Sequence, residues 1–418
     1  MKYKIEKLGN LVELKQGLAI NSQSNYLVSE VETSLSLLRI ADMPTKRKVI
    51  FMSEKTPSRY IANRDDIIYT RTGQVGLVFT GQEGVVHNNC FRVNSLNEKV
   101  LLNKYLYWVL KSKYLYTLAN TYAAGAAQPD LPHTSFKKIK IPLPDINLQQ
   151  KIANILSRYD EAIENNNKRI ELLKQMAQNL YKEWFVRFRF PGYEKKHYKE
   201  SCIGKIPESF NVLKQNEVIS DYIGGGWGEE EESSKFPIQA AVVRGADFPE
   251  FSKGNISTCP IRFHKKSNYE SRIISEDDIV LEVSGGTQEQ PVGRTVIVIN
   301  ERLERFKNKL ICASFCKLIR LNKKVIAPFY YYYWMQFVYD TRIIDRYQLQ
   351  STGIINFKFE YFLRKGDVLL PPSNLMWEFD SKVRTIHKQI ENLAKANENL
   401  TKQLDLLLPR LMSGKLEV

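Results

Sequence analysis

Histidine, cysteine and carboxylate side chains could support catalysis or bind a metal, but their spacing in this chain favours neither. The chain has five histidines, His87, His133, His197, His264 and His387. They form neither an HExxH motif nor any other ligand spacing. Of the five cysteines only Cys312 and Cys316 are close, without a further cysteine or histidine to complete a zinc site. The acidic pairs at 65–66 and 277–278 precede apolar runs, so we expect them to close turns.

Nucleotide and methyl-donor motifs are also missing from the sequence. No GxxxxGK[ST] phosphate loop occurs, and no GxGxxG follows a predicted strand. The run 370–373 lacks the polar and aromatic ends of an amino-methyltransferase motif. These absences favour a chain without its own catalytic site. The alternative that stays open is a self-sufficient sequence-specific DNA nuclease, or a recognition module fused to one.

The charge balance favours a polyanionic partner. The 418 residues include 61 Lys and Arg against 46 Asp and Glu, a formal charge of +15. Residues 1–10 do not resemble a signal peptide, and no stretch reaches the roughly 18 apolar residues of a membrane span. The scattered cysteines argue against a disulfide framework. We therefore expect a cytoplasmic chain of at least two domains with a polyanionic partner, without a membrane.

Polar residues in glycine-flanked loops are candidates for reading DNA bases. The first set is Thr70, Arg71, Thr72 and Gln74, in TRTGQVG (70–76). The corresponding set in a second, similar loop is Ser284, Thr287 and Gln288. A further pair of loops supplies Gln128, Ser351 and Thr352. The alternative is that these segments are ordinary hairpin turns.

Two basic runs are candidates for contacts with phosphate, although a solvated surface would have the same composition. They are Lys46, Arg47 and Lys48, and Lys265 and Lys266 together with Arg262 and His264. Arg39 and Arg244 stand in a repeated motif three residues before an aspartate, so we expect internal ion pairs there. The acidic segment GGGWGEEEESS (224–234) is unusual for a DNA-binding face, and we expect it to point away from DNA or to be a mobile loop.

Two long heptad patterns must position these loops. The first contains Ile152, Leu156, Tyr159, Ile163, Asn166, Ile170, Leu173, Ala177, Leu180 and Trp184. The second contains Phe379, Val383, Ile386, Ile390, Leu393, Asn397, Leu400, Leu404, Leu407 and Leu411. Steps of four and three residues alternate throughout, as in a coiled-coil seam. Each position of the second run lies 227 residues after its counterpart, which indicates a duplication.

One asparagine in each seam predicts how the two helices pair. In a parallel arrangement Asn166 and Asn397 would each face an apolar residue, at a cost of ~1–3 kcal/mol. Antiparallel pairing about residues 168 and 395 brings the two asparagines together and matches every other layer apolar with apolar. A single buried polar layer fixes register and orientation. We therefore predict an antiparallel two-helix coiled coil with pseudo-two-fold symmetry.

The duplication extends into the globular regions. LRIAD (38–42) recurs as VRGAD (243–247), DDII (65–68) as DDIV (277–280), and YLYW (105–108) as YYYW (331–334) on a predicted helix. The sequence thus predicts an α+β protein with two duplicated α/β-type domains joined by the coiled coil. The expected limits are 1–145 and 206–373 for these domains, 146–190 and 374–418 for the helices, and 191–205 for a linker.

Several segments resemble the specificity subunits of type I restriction-modification systems. IPLPDINLQQKIANIL (141–156) resembles the entry to their first spacer helix, and LYKEWFVRFRFPGYE (180–194) the end of that region. GKIPES (204–209) resembles the start of their second half, and LLLPRLMSGKLEV (406–418) their C-terminus. The resemblance covers the whole chain in the family's order.

The resemblance implies a non-catalytic, DNA-binding subunit with two target-recognition domains, each reading one half of a split target. It also implies partners: two methyltransferase subunits and two restriction subunits. S-adenosylmethionine, ATP and Mg would then bind to those partners, and this chain would hold no cofactor or metal.

Overall fold

The computed structural model describes residues 3–125, 128–195, 197–287, 290–351 and 354–418. The chain divides into two compact units. Unit 1 comprises Met1–Ile163 and Asn399–Val418, and unit 2 comprises Glu164–Glu398. Each unit therefore includes parts of both heptad segments, which the sequence-based division treated as separate regions.

Unit 1 is a mixed helical and β structure. Its strands are β1 (Lys4–Lys7), β2 (Val12–Gln16), β3 (Val28–Ser29), β4 (Leu35–Leu38), β5 (Phe51–Met52), β6 (Ile61–Ala62), β7 (Ile67–Thr70), β8 (Val78–Phe79), β9 (Gly84–Val86), β10 (Cys90–Ser95) and β11 (Lys140–Leu143). Its short helices are α1 (Asn103–Lys111), α2 (Lys113–Tyr122) and α3 (His133–Lys138). The long helix α4 (Ile146–Tyr181) follows β11 and ends in a π-helical turn at Lys182–Val186.

The core of unit 1 lies under an antiparallel sheet in the order β2-β10-β7-β8. Strand β7 is buried along its length because its apolar side chains Ile67, Ile68 and Tyr69 meet packed neighbours on both faces. Helix α1 covers this core with Tyr105, Leu106, Trp108 and Val109, at the spacing of one helix face. A second sheet has the order β3-β5-β4-β9-β6, and β1 pairs with β11.

Unit 2 has more strands and helices. Its strands are β12 (Tyr198–Lys199), β13 (Ile206–Pro207), β14 (Asn211–Lys214), β15 (Ile219–Gly224), β16 (Ile238–Val243), β17 (Ile261–His264), β18 (Ile279–Glu282), β19 (Ser284–Gly286), β20 (Thr295–Ile297), β21 (Leu310–Cys312), β22 (Cys316–Leu321), β23 (Gln348–Ser351), β24 (Ile354–Phe357) and β25 (Asp367–Leu370). Its helices are α5 (Gln215–Val218), α6 (Phe248–Phe251), α7 (Lys266–Arg272), α8 (Asn300–Arg305), α9 (Pro328–Asp340), α10 (Phe359–Lys365) and the long α11 (Ser373–Met412).

The central sheets of the two units have equivalent orders. In unit 2 the order is β15-β22-β18-β20, again antiparallel, and β14 pairs with β25 as β1 pairs with β11. The register also corresponds, since Cys90 stands opposite Thr70 in unit 1 and Cys316 opposite Glu282 in unit 2. The predicted helix around each YxYW motif is present as α1 and α9.

Two equivalent glycines, one in each unit, lie directly against a neighbouring backbone. A Cβ atom on Gly17 would lie 2.2 Å from the carbonyl oxygen of His87, and one on Gly225 would lie 2.1 Å from that of Ala313. At both places the strand end passes directly over a neighbouring backbone, and only glycine leaves room for that approach.

The long helices begin where the proline-containing segments predict. Helix α4 starts directly after the proline-containing segment 141–145, and α11 directly after 368–372. In unit 2, the Asn166 Nδ2 donates a hydrogen bond to the Asn397 Oδ1 at 2.9 Å. The rings of Trp184 and Phe379, another predicted pair, lie 6.2 Å apart. In unit 1, Ile152 and Leu411 belong to one buried cluster. Asn166 is therefore bonded to its predicted partner, Trp184 lies beside its own, and Ile152 shares a cluster with Leu411.

An ionic network attaches α8 to α11 within unit 2. Arg302 donates to Glu391 through its Nε at 2.8 Å, and Arg305 donates to the other Glu391 oxygen at 2.7 Å. Arg305 also pairs with Glu398. Arg302 and Glu391 are only 3 % and 2 % exposed, so their charges depend on each other for solvation. In unit 1, the corresponding segment between β8 and β9 is a short turn at 80–83.

Candidate nucleic-acid interface

The loop at 70–77 is held by its first residue. Thr70 is fully buried, its hydroxyl donates to the Gln74 carbonyl oxygen, and the Leu77 N–H donates back to that hydroxyl at 2.8 Å. The side chain predicted to read a base is thus used inside the loop. We withdraw Thr70 from the candidate contacts because no surface of it reaches solvent.

Arg71 and Thr72 are tied to a second loop. The Arg71 Nε and Nη2 donate to the two Asp130 carboxylate oxygens at 3.1 and 2.6 Å, and its Nη1 donates to the Gln16 Oε1 at 3.0 Å. The Thr72 hydroxyl donates to the same carboxylate at 2.6 Å. These hydrogen bonds, Arg71 first, hold the pKa of Asp130 below its ordinary value of 3.8. Arg71 and Thr72 therefore join the loops at 70–77 and 128–131 and position the residues between them.

Gln74 and Gln128 remain as the exposed amides of these two loops. An amide can donate and accept at once, which suits paired recognition of a base edge. Sequence reasoning named both residues but missed Asp130 and Gln16, the partners that orient their loops. No local signal could have found them, because Asp130 lies 59 positions from Arg71.

His133 and His87 flank this region without forming a catalytic pair. Burial lowers the pKa of His133, and the nearby Arg71 charge lowers it further. Burial likewise lowers the pKa of His87, with a contribution from Arg39. The His133 ring packs edge-on against Phe91, with ring centroids 4.7 Å apart. Both histidines are thus favoured in their neutral forms.

The corresponding loop of unit 2 has different chemistry. The Ser284 hydroxyl donates to the Asn356 Oδ1 at 2.7 Å, which joins β19 to β24. Thr287 is exposed, and its Oγ1 accepts from the Gln290 N–H at 3.1 Å. Gln288 and Thr352 lie outside the described residues, and Ser351 is described only as the last residue of β23. Thr287 is therefore the predicted reader that the structure places on the surface here.

Below this loop lies a buried ion pair where unit 1 has Thr70. The Glu282 carboxylate accepts from the Arg294 Nε and Nη2 at 2.8 and 2.6 Å. The two loops thus follow equivalent strands. The Thr70 hydroxyl anchors the first loop, whereas the ion pair of Glu282 and Arg294 lies below the second.

The basic runs differ in how accessible their charges are. Lys46, Arg47 and Lys48 are exposed after β4, and Lys265 and Lys266 are exposed after β17. Arg262, in contrast, pairs with Glu230 at 2.7 Å and stacks over Trp227, and His264 is 3 % exposed. Phosphate contact by Arg262 and His264 is therefore disfavoured, while the exposed lysines and Arg47 remain candidates.

The acidic segment lies against this basic strand. Glu229 and Phe263 exchange backbone hydrogen bonds of 2.9 Å, so the segment meets β17 at this point. Its Glu230 carboxylate pairs with Arg262, so one of the four consecutive glutamates is matched by a charge of the basic run.

Two expectations about the repeated motifs are confirmed. Arg39 pairs with Asp42 at 2.5 Å and Arg244 with Asp247 at 2.8 Å, as internal ion pairs. The second aspartate of each acidic pair closes a turn. Asp66 accepts from the Asn63 N–H and Asp278 from the Ser275 N–H, each at 2.8 Å.

Within the part of the chain that the structure describes, no group of histidine, cysteine, aspartate and glutamate residues is arranged to hold a metal ion. The described helices also include none that is both long and apolar enough to span a membrane. The candidate residues that remain exposed offer hydrogen-bonding groups and positive charge.

Comparison with known proteins gives the class of this fold and surface. Residues 2–175 match the family described as the type I restriction modification DNA specificity domain. A crystal structure of a type I restriction-modification S subunit from M. genitalium superposes with a TM-score of 0.56 at 14 % identity, covering 99 % of this chain and 96 % of that one. The fold is therefore that of such a subunit.

Named relatives give the same result over most of the chain. The type I restriction enzyme MjaIX specificity subunit of Methanocaldococcus jannaschii is 24 % identical over 383 residues, 89 % of this chain and 82 % of that protein. The MjaVIII specificity subunit of the same organism is 25 % identical over 370 residues, 87 % and 82 % of the two chains. The chain is thus similar to type I restriction-modification specificity subunits over most of its length, in agreement with the resemblance noted in its sequence.

Proposed function

We propose that this chain is the non-catalytic DNA-specificity subunit of a type I restriction-modification complex. It reads a bipartite duplex target in the cytoplasm, with one half-site bound by each of two target-recognition domains. It assembles with two methyltransferase and two restriction subunits, which supply S-adenosylmethionine, ATP and Mg chemistry.

The observation that carries this proposal is a repeated scaffold with unlike loops. The central sheets of the two units share their strand order and register, and a polar loop follows the same strand in each. The residues on those loops differ, with Gln74 exposed in one and Thr287 in the other. A shared scaffold with different polar tips is suited to reading two different sequences.

The long helices form, in this proposal, an antiparallel coiled coil that sets the distance between the half-sites. The hydrogen bond between Asn166 and Asn397 supports the register. Leu172, Met176 and Leu406 expose 58 %, 58 % and 60 % of their surface on these helices. Exposed apolar residues of this kind suit the docking of methyltransferase subunits.

The proposal is tested by mapping methylated positions in DNA treated with the reconstituted methyltransferase complex. Gln74→Ala should change the base preference of one half-site, because a hydrogen bond to a base edge contributes ~1–3 kcal/mol of discrimination. Thr287→Ala should change only the other half-site. Each variant serves as the control for the other.

If either substitution altered both half-sites, the assignment of one domain to one half-site would be wrong. The nuclease alternative has its own test, in which the isolated chain is incubated with duplex DNA and Mg²⁺ or Mn²⁺. Sequence-specific cleavage would refute a non-catalytic role, whereas intact DNA together with methylation by the complex supports it.

A further inference from the structure

Helix α2 carries an exposed polar face next to the loop at 70–77. Leu115 and Ala119 are buried in the core of unit 1, while Lys113, Thr117 and Thr121 are exposed on the opposite side. Tyr114 is also 65 % exposed. The helix therefore covers the core with one face and presents hydroxyl, ammonium and aromatic groups to solvent with the other.

Direct contacts make α2 and the loop one continuous surface. The Asn120 Nδ2 donates to the Val75 carbonyl oxygen at 3.1 Å. Gly76, with a φ of +96°, approaches Tyr116 so closely that a Cβ atom would lie 2.8 Å from its ring. A molecule that contacts Gln74 would therefore meet the exposed face of α2 as well.

The chain segment that contains α2 is basic. Residues 99–144 contain seven lysines and a single acidic residue, Asp130. The Asp130 carboxylate is already bound by Arg71 and Thr72. The segment thus has no unmatched negative charge that would repel DNA.

Unit 2 has a different element in the equivalent place. There, the YYYW helix α9 is followed by a short 3₁₀ helix at Ile343–Tyr347, whereas α1 of unit 1 is followed by the longer helix α2. The pairing of the polar loop itself is similar in the two units, since β19 pairs with β24 in unit 2 and Thr72 pairs with Asp130 in unit 1. The two units therefore differ in the helical segment that precedes this pairing.

We propose that α2 is a recognition helix of unit 1, which reads the first half-site from the major groove. Thr117 and Thr121 contact base edges, and Lys113 contacts phosphate. An α-helix fits the major groove, and threonine offers a hydroxyl and a methyl group to its base edges. This inference rests on the proposed function and adds specificity-determining residues that lie outside the loops.

The experiment compares two variants of the full chain in the methyltransferase complex. Thr117→Ala/Thr121→Ala should weaken discrimination in the first half-site by about fivefold or more and leave the second half-site unchanged. Alanine has the higher helix propensity, so this variant keeps α2 folded. Lys113→Gln should weaken binding to all duplexes alike and reduce the salt dependence by about one charge.

Lys104→Gln is the matched control. Lys104 lies three positions before Tyr107 and seven before Lys111, so it shares their face of α1, and these two residues contact Asp160 of α4. The Lys104 exchange should therefore leave base preference and salt dependence unchanged. The inference is overturned if the double alanine variant methylates the same sequences with the same discrimination as the unchanged chain. Failure of the unchanged chain to direct methylation would refute the proposed function instead, so the two failures are distinct.

Discussion

At the scale of single residues, some polar side chains hold the loops in place and others are exposed for recognition. Arg71 has the chemistry to bind a guanine, yet its guanidinium is engaged by Asp130 and Gln16. Its contribution is to hold two loops together. Gln74, which has a less specific side chain, is left on the surface.

The asparagine pair between the long helices gives a prediction at this scale. Asn166→Leu should lower the free energy of unfolding by about 1 kcal/mol, because the Asn397 carbonyl oxygen loses its donor. Asn166→Leu/Asn397→Leu should recover part of that loss, since two leucines pack together in one apolar layer. Urea unfolding of the full chain measures both.

Asn165→Leu, on an exposed position of the same helix, is the control and should change stability by less than ~0.5 kcal/mol. Strictly additive effects of the two seam substitutions would show that the asparagines do not interact.

At the scale of elements, an ionic network between α8 and α11 stabilises unit 2. Helix α8 brings Arg302 and Arg305 to Glu391, and the three charges share one buried region. Glu164 occupies the same heptad position on α4, where it pairs with the exposed Lys168. Duplicated glutamates thus have unlike roles.

The two glutamates provide a matched comparison. Glu391→Gln should destabilise the chain by ~3–5 kcal/mol, because it leaves the buried Arg302 guanidinium without a countercharge and Arg305 with Glu398 alone. Glu164→Gln should cost less than ~1 kcal/mol, as expected for an exposed pair. Equal losses in a chemical unfolding experiment would contradict a specific role for the α8 network.

At the scale of the whole molecule, the length of the proposed antiparallel coiled coil should set the distance between the two half-sites. Seven residues inserted after Ile163, with seven more between Asn399 and Leu400, would preserve the seam and the antiparallel register. At ~1.5 Å per residue each helix would lengthen by ~10 Å, equivalent to about three base pairs. Both half-sites should persist, separated by a gap about three base pairs longer.

Methylation mapping with the extended chain measures that gap. A seven-alanine insertion in α4 alone breaks the register and serves as the control, which should abolish directed methylation. An unchanged gap in the doubly extended chain would show that the helices do not determine the spacing.

The sequence alone was sufficient for the features that depend on periodicity. Heptad spacing located both long helices and the asparagine contact, because a helical seam depends on residues a few positions apart. The proline-containing segments predicted where those helices begin, and the repeated motifs predicted the helices around the YxYW segments and the Arg–Asp pairs.

Only the tertiary structure decided which polar side chains are free to meet DNA. Thr70, Arg71 and Arg262 looked like surface groups in their local sequence, but each is engaged by other residues of the fold. The acidic partners of Arg71 and Arg262 lie 59 and 32 positions away in the sequence, so no local pattern could indicate them. Hydrogen-bonding groups compete for partners brought together by packing, so accessibility is a property of the folded chain.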